Sequence, residues 1–432
     1  MAEFFTPTKG ETPSSRASQL HAHLIAGSKG GTGKTTILFH AAAQYAFDHP
    51  SENVLVIDCS FAGDLSERLL GGAAMTAEGM TAGEKAMEAL HTQGKSTAHL
   101  FAYLAETVAR RSPLVPPRSA SVTPDTVARG SFMDAWRRLS VSAHKPEVPP
   151  TPGPPPAKNI ADAYGVLVHR HNPHVALDNL FLVPNGSGRR PDFGLDLISP
   201  SYRRMAHSLR EHLLALPGTW RCFFDTDGDL ELSGSTEVVV RAVDTCAMFT
   251  ETDSSDFRRV CIFLNDLQAI RRACQQDGSM CASVAVVVFN KVEPSTQTDV
   301  RFEDLGCAVR PHIVSVRQMV LDFAGRLADV VLSSASAAGQ LGLFSNAPGA
   351  AAAPGTSEEG RRAGLLRSSF MVMQHYRNAG FLGNAAGVPL CCMAADAVYA
   401  GQPELTEYLR GGRVADHLGR LKANVKELTD RL

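Results

Sequence analysis

The residues best suited to chemistry lie in one stretch, Gly27-Ser28-Lys29-Gly30-Gly31-Thr32-Gly33-Lys34-Thr35-Thr36, directly after the apolar run Leu24-Ile25-Ala26. Gly30, Gly31 and Gly33 can take positive φ and turn successive backbone N–H groups toward an anion with no Cβ in the way. In that arrangement Lys34 reaches the β and γ phosphates of a nucleotide and the Thr35 hydroxyl ligates Mg²⁺. A helix beginning near Thr35 points its positive end at the same anion, with Thr32 and Thr36 completing the cradle. The spacing departs from G-x-x-x-x-G-K-[ST] only at its first glycine, where Ser28 stands, and fits instead K-G-G-x-G-K-[ST]-[ST], with Lys29 as an additional cation. The bland alternative is a glycine-rich turn linking strand to helix; the two lysines inside it argue for the phosphate cradle.

Lys29 to Thr36 resembles the deviant Walker A motif of the ParA/MinD family, within the SIMIBI class of P-loop NTPases. In that family the additional lysine crosses an ATP-sandwiched dimer to touch the partner's nucleotide. The resemblance implies that role for Lys29, and with it an ATP-dependent homodimer around Mg²⁺ and ATP. Asp58-Cys59-Ser60-Phe61-Ala62-Gly63-Asp64-Leu65-Ser66 is similar to the family's switch I stretch, D-x-D-x-x-G-N-x-[ST], at Asp58, Gly63 and Ser66. This implies that Asp58 holds the magnesium shell through water. Ser60 stands where the family has a second aspartate that positions or activates the attacking water. A serine carries no charge and accepts a proton poorly at neutral pH, so slow hydrolysis is expected unless Asp64 takes that role.

Trp220 to Asp225 reads as a strand closing on an acid, and Asp225-x-x-Gly228 has the spacing of a Walker B and switch II element. By that resemblance Asp225 contacts the magnesium shell and the Gly228 N–H senses the γ-phosphate. Asn290 ends the apolar run Ser283 to Phe289, where the family has an asparagine beside the base. Asn290-Lys291-Val292-Glu293 also half-resembles the guanine-reading N-K-x-D of G proteins, but the deviant loop belongs mainly to ATPases, so adenine is expected. The plainer readings are a strand-end turn for Asp58, an acidic turn for Asp225 and a capping residue for Asn290.

These residues need a scaffold, and the pattern predicts one: an α/β fold with a doubly wound, mostly parallel sheet flanked by helices. His21 to Ala26, Asn53 to Ile57, Asn179 to Gly186, Trp220 to Asp225 and Ser283 to Phe289 read as strands, mostly as continuous apolar runs suited to burial on both faces. Val238-Val239-Val240 and Val260 to Leu264 are further short apolar runs, the second leading into a helix through Cys274. Helices are expected over Thr35 to Phe47, over Thr81 to Arg111 with a Thr81/Glu84 capping box, over Ser201 to Leu216 and over His312 to Leu332. Ala385 to Leu390 is similar to the family's late G-x-P strand start. In the tail, Val414, Leu418, Leu421, Val425, Leu428 and Leu432 alternate spacings of four and three, one apolar helical face. It lacks the bulky aromatics and the strong lysine and arginine excess of a membrane-surface helix, so packing on the core or on a partner helix is expected.

The organisation follows: a disordered lead-in at 1–19, the first part of the nucleotide domain at 20–111, a proline-rich insertion at 112–158 holding eleven of the 25 prolines, the central part at 159–332, an Ala/Ser/Gly-rich insertion at 333–362 and a final part at 363–432. Of the 432 residues 44% are hydrophobic and the net charge is −2, which excludes a whole-chain basic footprint for nucleic acid but leaves a local patch open. Nine cysteines without a C-x-x-C pair fit reduced thiols in a cytosol-like compartment. The adjacent Cys391-Cys392 read as small buried hydrophobes. No apolar run is long enough to span a bilayer. The family implies a switch that positions or partitions a cargo (DNA, a protein assembly or an organelle-like body) through a protein adaptor or DNA, in the cytoplasm. A nucleotide-binding interaction protein with little turnover, and an ATP-dependent metabolic or maturation enzyme, are the alternatives.

Overall fold

The computed structural model describes residues 19–27, 31–73, 75, 79–111, 159–186, 199–226, 234–251, 254–292, 324–326, 344, 365–366, 368–411 and 414–432. The proline-rich insertion, nearly all of the Ala/Ser/Gly-rich one and most of the expected helix at 312–332 lie outside these residues. Eight strands form one sheet: β1 Leu20–Ala26, β2 Asn53–Asp58, β3 Val166–Leu167, β4 Leu180–Val183, β5 Trp220–Asp225, β6 Thr245–Thr250, β7 Ser283–Val292 and β8 Phe370–Gln374. Their order is β3-β4-β2-β5-β1-β6-β7-β8, and every neighbouring pair is parallel except β3 with β4. This is the doubly wound, mostly parallel sheet that the apolar runs predict.

Successive side chains of each run feed opposite layers. Leu24, Leu55, Cys222 and Met248 enter one core, while Ile25, Val56, Phe223 and Phe249 enter the other. The first layer is closed by α4 Thr97–Arg111, α5 Ile160–Tyr164, α6 Ser199–Leu214, α7 Gly234–Val240 and α8 Ser254–Asp277. The second is closed by α1 Lys34–Asp48, α2 Asp64–Leu69, α3 Ala82–Thr92, α9 Arg377–Ala386, α10 Pro403–Leu409 and α11 Val414–Arg431. The tail helix α11 buries Val414, Leu418, Leu421, Val425 and Leu428 in that core, where it packs on α1. Among the described residues no helix is long and apolar enough to cross a membrane.

Two expectations are corrected, the single helix at 81–111 and the late strand start, and two apolar runs find their place in helices. The helical stretch 81–111 is two helices, α3 and α4, parted at Gly94, whose φ of +77° only glycine takes easily. The Thr81/Glu84 capping box is present, with both reciprocal bonds made. The valines at 238–240 belong to α7, and β6 next to it, Thr-Cys-Ala-Met-Phe-Thr, has little of the β-branched signature that would mark it. Val260 to Leu264 is interior to α8. The G-x-P stretch starts no strand. Gly387, at φ +67°, ends α9 against Gly72, and a Cβ on Gly72 would come within 2.3 Å of the Gly387 nitrogen, so the two backbones meet where neither tolerates a side chain.

An arginine in a central parallel strand is unusual, and the structure accounts for Arg221. Its Nη1 donates to His23 Nε2 (2.8 Å) and its Nη2 to the Tyr45 hydroxyl (2.9 Å), which in turn donates to Glu52 Oε2 (2.7 Å). Because His23 Nε2 accepts, its Nδ1–H donates to Thr245 Oγ1 at 2.7 Å, and burial followed by the Arg221 charge holds this histidine neutral, far below its usual range. One polar chain thus links β6, β1, β5 and α1 across the amino edge of the sheet. Arg221→Ala strands the buried His23 Nε2 and leaves the Tyr45 hydroxyl only its bond to Glu52, and is expected to destabilise the fold by about 1–3 kcal/mol in urea denaturation, with Tyr45→Phe costing less.

Candidate functional site

The carboxyl ends of the central strands converge on the glycine-rich loop. Gly31 (φ +82°) and Gly33 (φ +84°) both adopt left-handed backbone, and Gly33 hands the chain to α1. A Cβ on Gly33 would lie 2.5 Å from Asn290 Nδ2, which donates to the Thr32 carbonyl at 2.5 Å. Asn290, at the end of β7, therefore holds the loop's shape. A Cβ on Gly27 would meet the Phe249 carbonyl at 2.8 Å and Lys34 Cδ at 3.0 Å, so the stem of Lys34 folds back over the bare glycine. Lys34 is buried, no side chain caps α1 and no acid occupies its first turn. The helix thus presents its N-terminal N–H groups and partial positive charge to the loop, as an anion site requires. Lys29, Gly30 and Gly228 lie outside the described residues.

Two carboxylates stand behind this loop. Asp58 and Asp225 end β2 and β5, are register partners, and are both fully buried. The Thr35 hydroxyl donates to Asp225 Oδ2 at 2.8 Å, while Asp225 Oδ1 is buried with no partner. Burial first, and then the charge of Asp58, push the Asp225 carboxyl up to about 7, against the pull of Thr35, Lys34 and Arg68. A hydroxyl and a carboxylate with one unmet oxygen, in a site that disfavours bare negative charge, are hard donors that suit a small divalent cation completing its shell with phosphate and water. Among the described residues no group of three or more His, Cys, Asp or Glu side chains could hold a metal, so those residues alone offer no closed cage.

Both carboxylate oxygens of Asp58 are engaged by its own loop. Its Oδ1 accepts from the Ser60 N–H (3.1 Å) and hydroxyl (2.6 Å), and its Oδ2 from the Ser66 N–H (2.9 Å) and hydroxyl (2.7 Å). Four protein donors fill both oxygens, although burial still pushes the group up. Asp58 is thus the clasp of the 58–66 loop, and Ser60 is one of its two hydroxyl donors. Ser66 also accepts the Asn185 N–H at 2.8 Å, Asn185 Nδ2 donates to the Ser60 carbonyl, and Thr97 Oγ1 donates to the carbonyls of Asp58 (2.7 Å) and Pro184 (2.9 Å). Asp64 is exposed in the first turn of α2, 3.8 Å from Arg68, and is not brought to the acid pair.

Sequence reasoning missed four contributors: Arg68, Thr97, Asn185 and Asn384. Arg68 reaches Thr36 Oγ1 at 3.1 Å with Asp225 and Asp58 in its field, and Asn384 Nδ2 meets the same hydroxyl at 3.2 Å. Only Arg68 left a trace in sequence, an i,i+4 pairing with Asp64. Beside the loop, Gly33, Thr36, Asn290, Tyr376, Phe381 and Asn384 line a cleft of about 200 Å³. Asn384 Oδ1 and the Tyr376 hydroxyl are buried and unpartnered there.

No family model matches the chain, and no curated protein matches it. Solved structures do. The chain is similar to pNOB8 ParA (11% identity over 95% of this chain and 97% of that one, TM-score 0.46), to apo McdA from Cyanothece (11%, 95% and 99%, 0.44) and to a ParA family ATPase from Chlorobium tepidum TLS (10%, 95% and 98%, 0.39). Identities this low say nothing of ligand or partner.

The raised Asp225 carboxyl gives a stability profile of known sign. A group whose folded pKa (about 7) exceeds its unfolded value (3.8) binds protons preferentially in the folded state, so stability falls as pH rises between those values. The unliganded protein is expected to lose stability through that window by up to about 1.4 kcal/mol per pH unit from this group, and Asp225→Asn to flatten the slope. The difference between the two denaturation profiles isolates Asp225 from His40. That buried histidine is pushed down from 6.5 to about 3 and acts oppositely, costing stability as pH falls below 6.5 in both proteins.

Proposed function

We propose that this chain is a ParA/MinD-like ATP-binding switch that dimerises around Mg²⁺ and ATP and times the positioning or partitioning of a cargo. The observation that carries the reading is the pairing of an uncapped, lysine-bearing helix N-terminus after left-handed glycines with the Thr35–Asp225 contact and its unmet Oδ1. Phosphates lie on the loop and on Lys34, a Mg²⁺ ion is held by Thr35 and Asp225, and the base enters the cleft bounded by Asn290 and Asn384. Asp58 acts through the 58–66 loop that it closes. Lys29 reaches the partner's nucleotide, and Gly228 reads the γ-phosphate. The cargo is met through a protein adaptor or DNA rather than a bilayer, because the apolar face of the tail is covered by α1.

Hydrolysis is slow in this reading. Ser60 offers a hydroxyl already given to Asp58, and Asp64 faces solvent. That same observation favours a second reading, a nucleotide-dependent interaction protein that binds without turning over.

Three measurements test these readings, the last of them telling one from the other. In calorimetry with Mg²⁺ and ATP, Lys34→Ala is expected to weaken binding by roughly two orders of magnitude, in line with about 2–5 kcal/mol for removing one partner of a buried charge contact. Size-exclusion with ATP should give a dimer for wild type and a monomer for Lys29→Ala at unchanged affinity; a wild-type monomer at saturating ATP sinks the sandwich. Phosphate release should stay below about 1 s⁻¹. Release that is undetectable in wild type, and still undetectable with candidate adaptors or DNA, selects the non-hydrolysing reading.

A further inference from the structure

The adjacent pair Cys391-Cys392 packs in and against the core, as small hydrophobes do, and its sulfurs also meet each other. The residues form a 3₁₀ turn, Leu390–Cys392, in which Cys391 is buried and Cys392 is partly exposed, with the two Sγ atoms 3.8 Å apart. Along an extended strand neighbouring side chains point to opposite sides; here the turn brings both sulfurs into contact on one side. Either thiol can donate across this contact, but the two environments differ. Contact with Cys391 and the nearby Lys422 charge hold Cys392 below the usual thiol range, while contact with Cys392 and burial hold Cys391 above it. Lys422 is fixed in place by donating to the Met393 carbonyl at 2.7 Å, and the Tyr399 hydroxyl fixes the Cys392 carbonyl. A partly exposed, thiolate-prone sulfur touching a buried one is the arrangement of an attacking and a resolving thiol.

The turn is also wired to the candidate nucleotide site. The Leu390 N–H donates to His40 Nδ1 (3.2 Å) on α1, and the His40 ring packs edge-on against Tyr376, which lines the cleft. Met393, one residue past the pair, lies so close to α9 that a Cβ on Gly383 would stand 2.1 Å from its methyl carbon.

We propose that Cys391 and Cys392 form a redox-active dithiol that reduces a hydroperoxide and closes to a disulfide within the turn, loosening its contact with α1. The Cys392 thiolate attacks the peroxide, the O–O bond breaks, and Cys392 becomes a sulfenic acid as the peroxide is reduced to an alcohol or water. The Cys391 sulfur then attacks Cys392, the S–S bond forms, and the S–O bond breaks with hydroxide leaving as water on the Cys391 proton. In this proposal, closing the sulfurs from 3.8 Å to the bonded distance of about 2.05 Å rotates the turn and weakens the Leu390–His40 bond. The coupling to nucleotide rests on the function proposed above; the thiol chemistry does not.

The test treats the full chain with hydrogen peroxide, alkylates the remaining thiols and maps the peptides by mass. The peptide holding both cysteines should lose two hydrogen atoms and escape alkylation, reversibly with a dithiol reductant. With Cys391→Ala, a dimedone adduct should accumulate on Cys392; with Cys392→Ala, neither disulfide nor adduct should form at 391. Oxidation should weaken ATP binding of wild type about fivefold, the loss of one hydrogen bond, and leave the Cys391→Ala/Cys392→Ala double variant unaffected. A wild-type peptide that stays fully alkylated overturns the dithiol, and a disulfide that leaves ATP affinity unchanged overturns the coupling. Reduced wild type that binds no ATP overturns the nucleotide reading, while the peptide map still decides the dithiol.

Discussion

Two buried carboxylates, Asp58 and Asp225, stand side by side on neighbouring strands, and their mutual repulsion is the constraint that the surrounding structure answers. Register neighbours lie about 4.8 Å apart, where two like charges repel by roughly 3 kcal/mol at an effective dielectric near 20. The two acids meet this in different ways. Asp58 is neutralised locally, by four donors from its own loop. Asp225 keeps one oxygen unmet and relies on charges from further away, Lys34 and Arg68, together with the Thr35 hydroxyl. That asymmetry makes Asp225 the acid that gains from a cation and Asp58 the acid that organises a loop.

The clasp explains why position 60 suits a serine. Its hydroxyl lies 2.6 Å from Asp58 Oδ1 in a buried spot, so an aspartate in this conformation would set a third carboxylate against two that are already hard to ionise. A serine closes the loop with a neutral donor, so the local electrostatics favour an uncharged hydroxyl at this position.

Much of this was legible in the sequence, and what was not has a common cause. The glycine loop, β1, β2, β5, β7, the capping box at Thr81 and the apolar face of α11 were all readable, because local spacing alone dictates them. Strands β6 and β8 were missed: Thr-Cys-Ala-Met-Phe-Thr and Phe-Met-Val-Met-Gln carry Met, Ala and Cys, whose placement is decided by burial between neighbouring strands rather than by intrinsic preference. Arg68, Thr97, Asn185 and Asn384 bond partners 32 to 348 residues away in sequence, so no window of sequence holds both ends. Arg221 looked wrong for a strand until His23 and Tyr45 supplied its partners. Asp58 was legible as a strand-end carboxylate, but its four loop donors were not, since spacing locates a carboxylate without saying which donors fill it.

Helix α1 is the element through which these local arrangements meet. It spans about 22 Å and is held at three levels. At its first turn Thr36 is bound by Arg68 and Asn384, in its middle His40 accepts the Leu390 N–H, and at its last turn Asp48 lies 3.7 Å from Lys426 of α11. Between these levels its inner face is fully buried from Ile37 through Ala43, so it cannot bend independently of the layer that contains α11. Under the proposed nucleotide reading, a phosphate at the N-terminus of α1 would meet a stiff rod, and any displacement of α1 would bear on the turn at 390–392 and on the tail helix, the two elements bound to it.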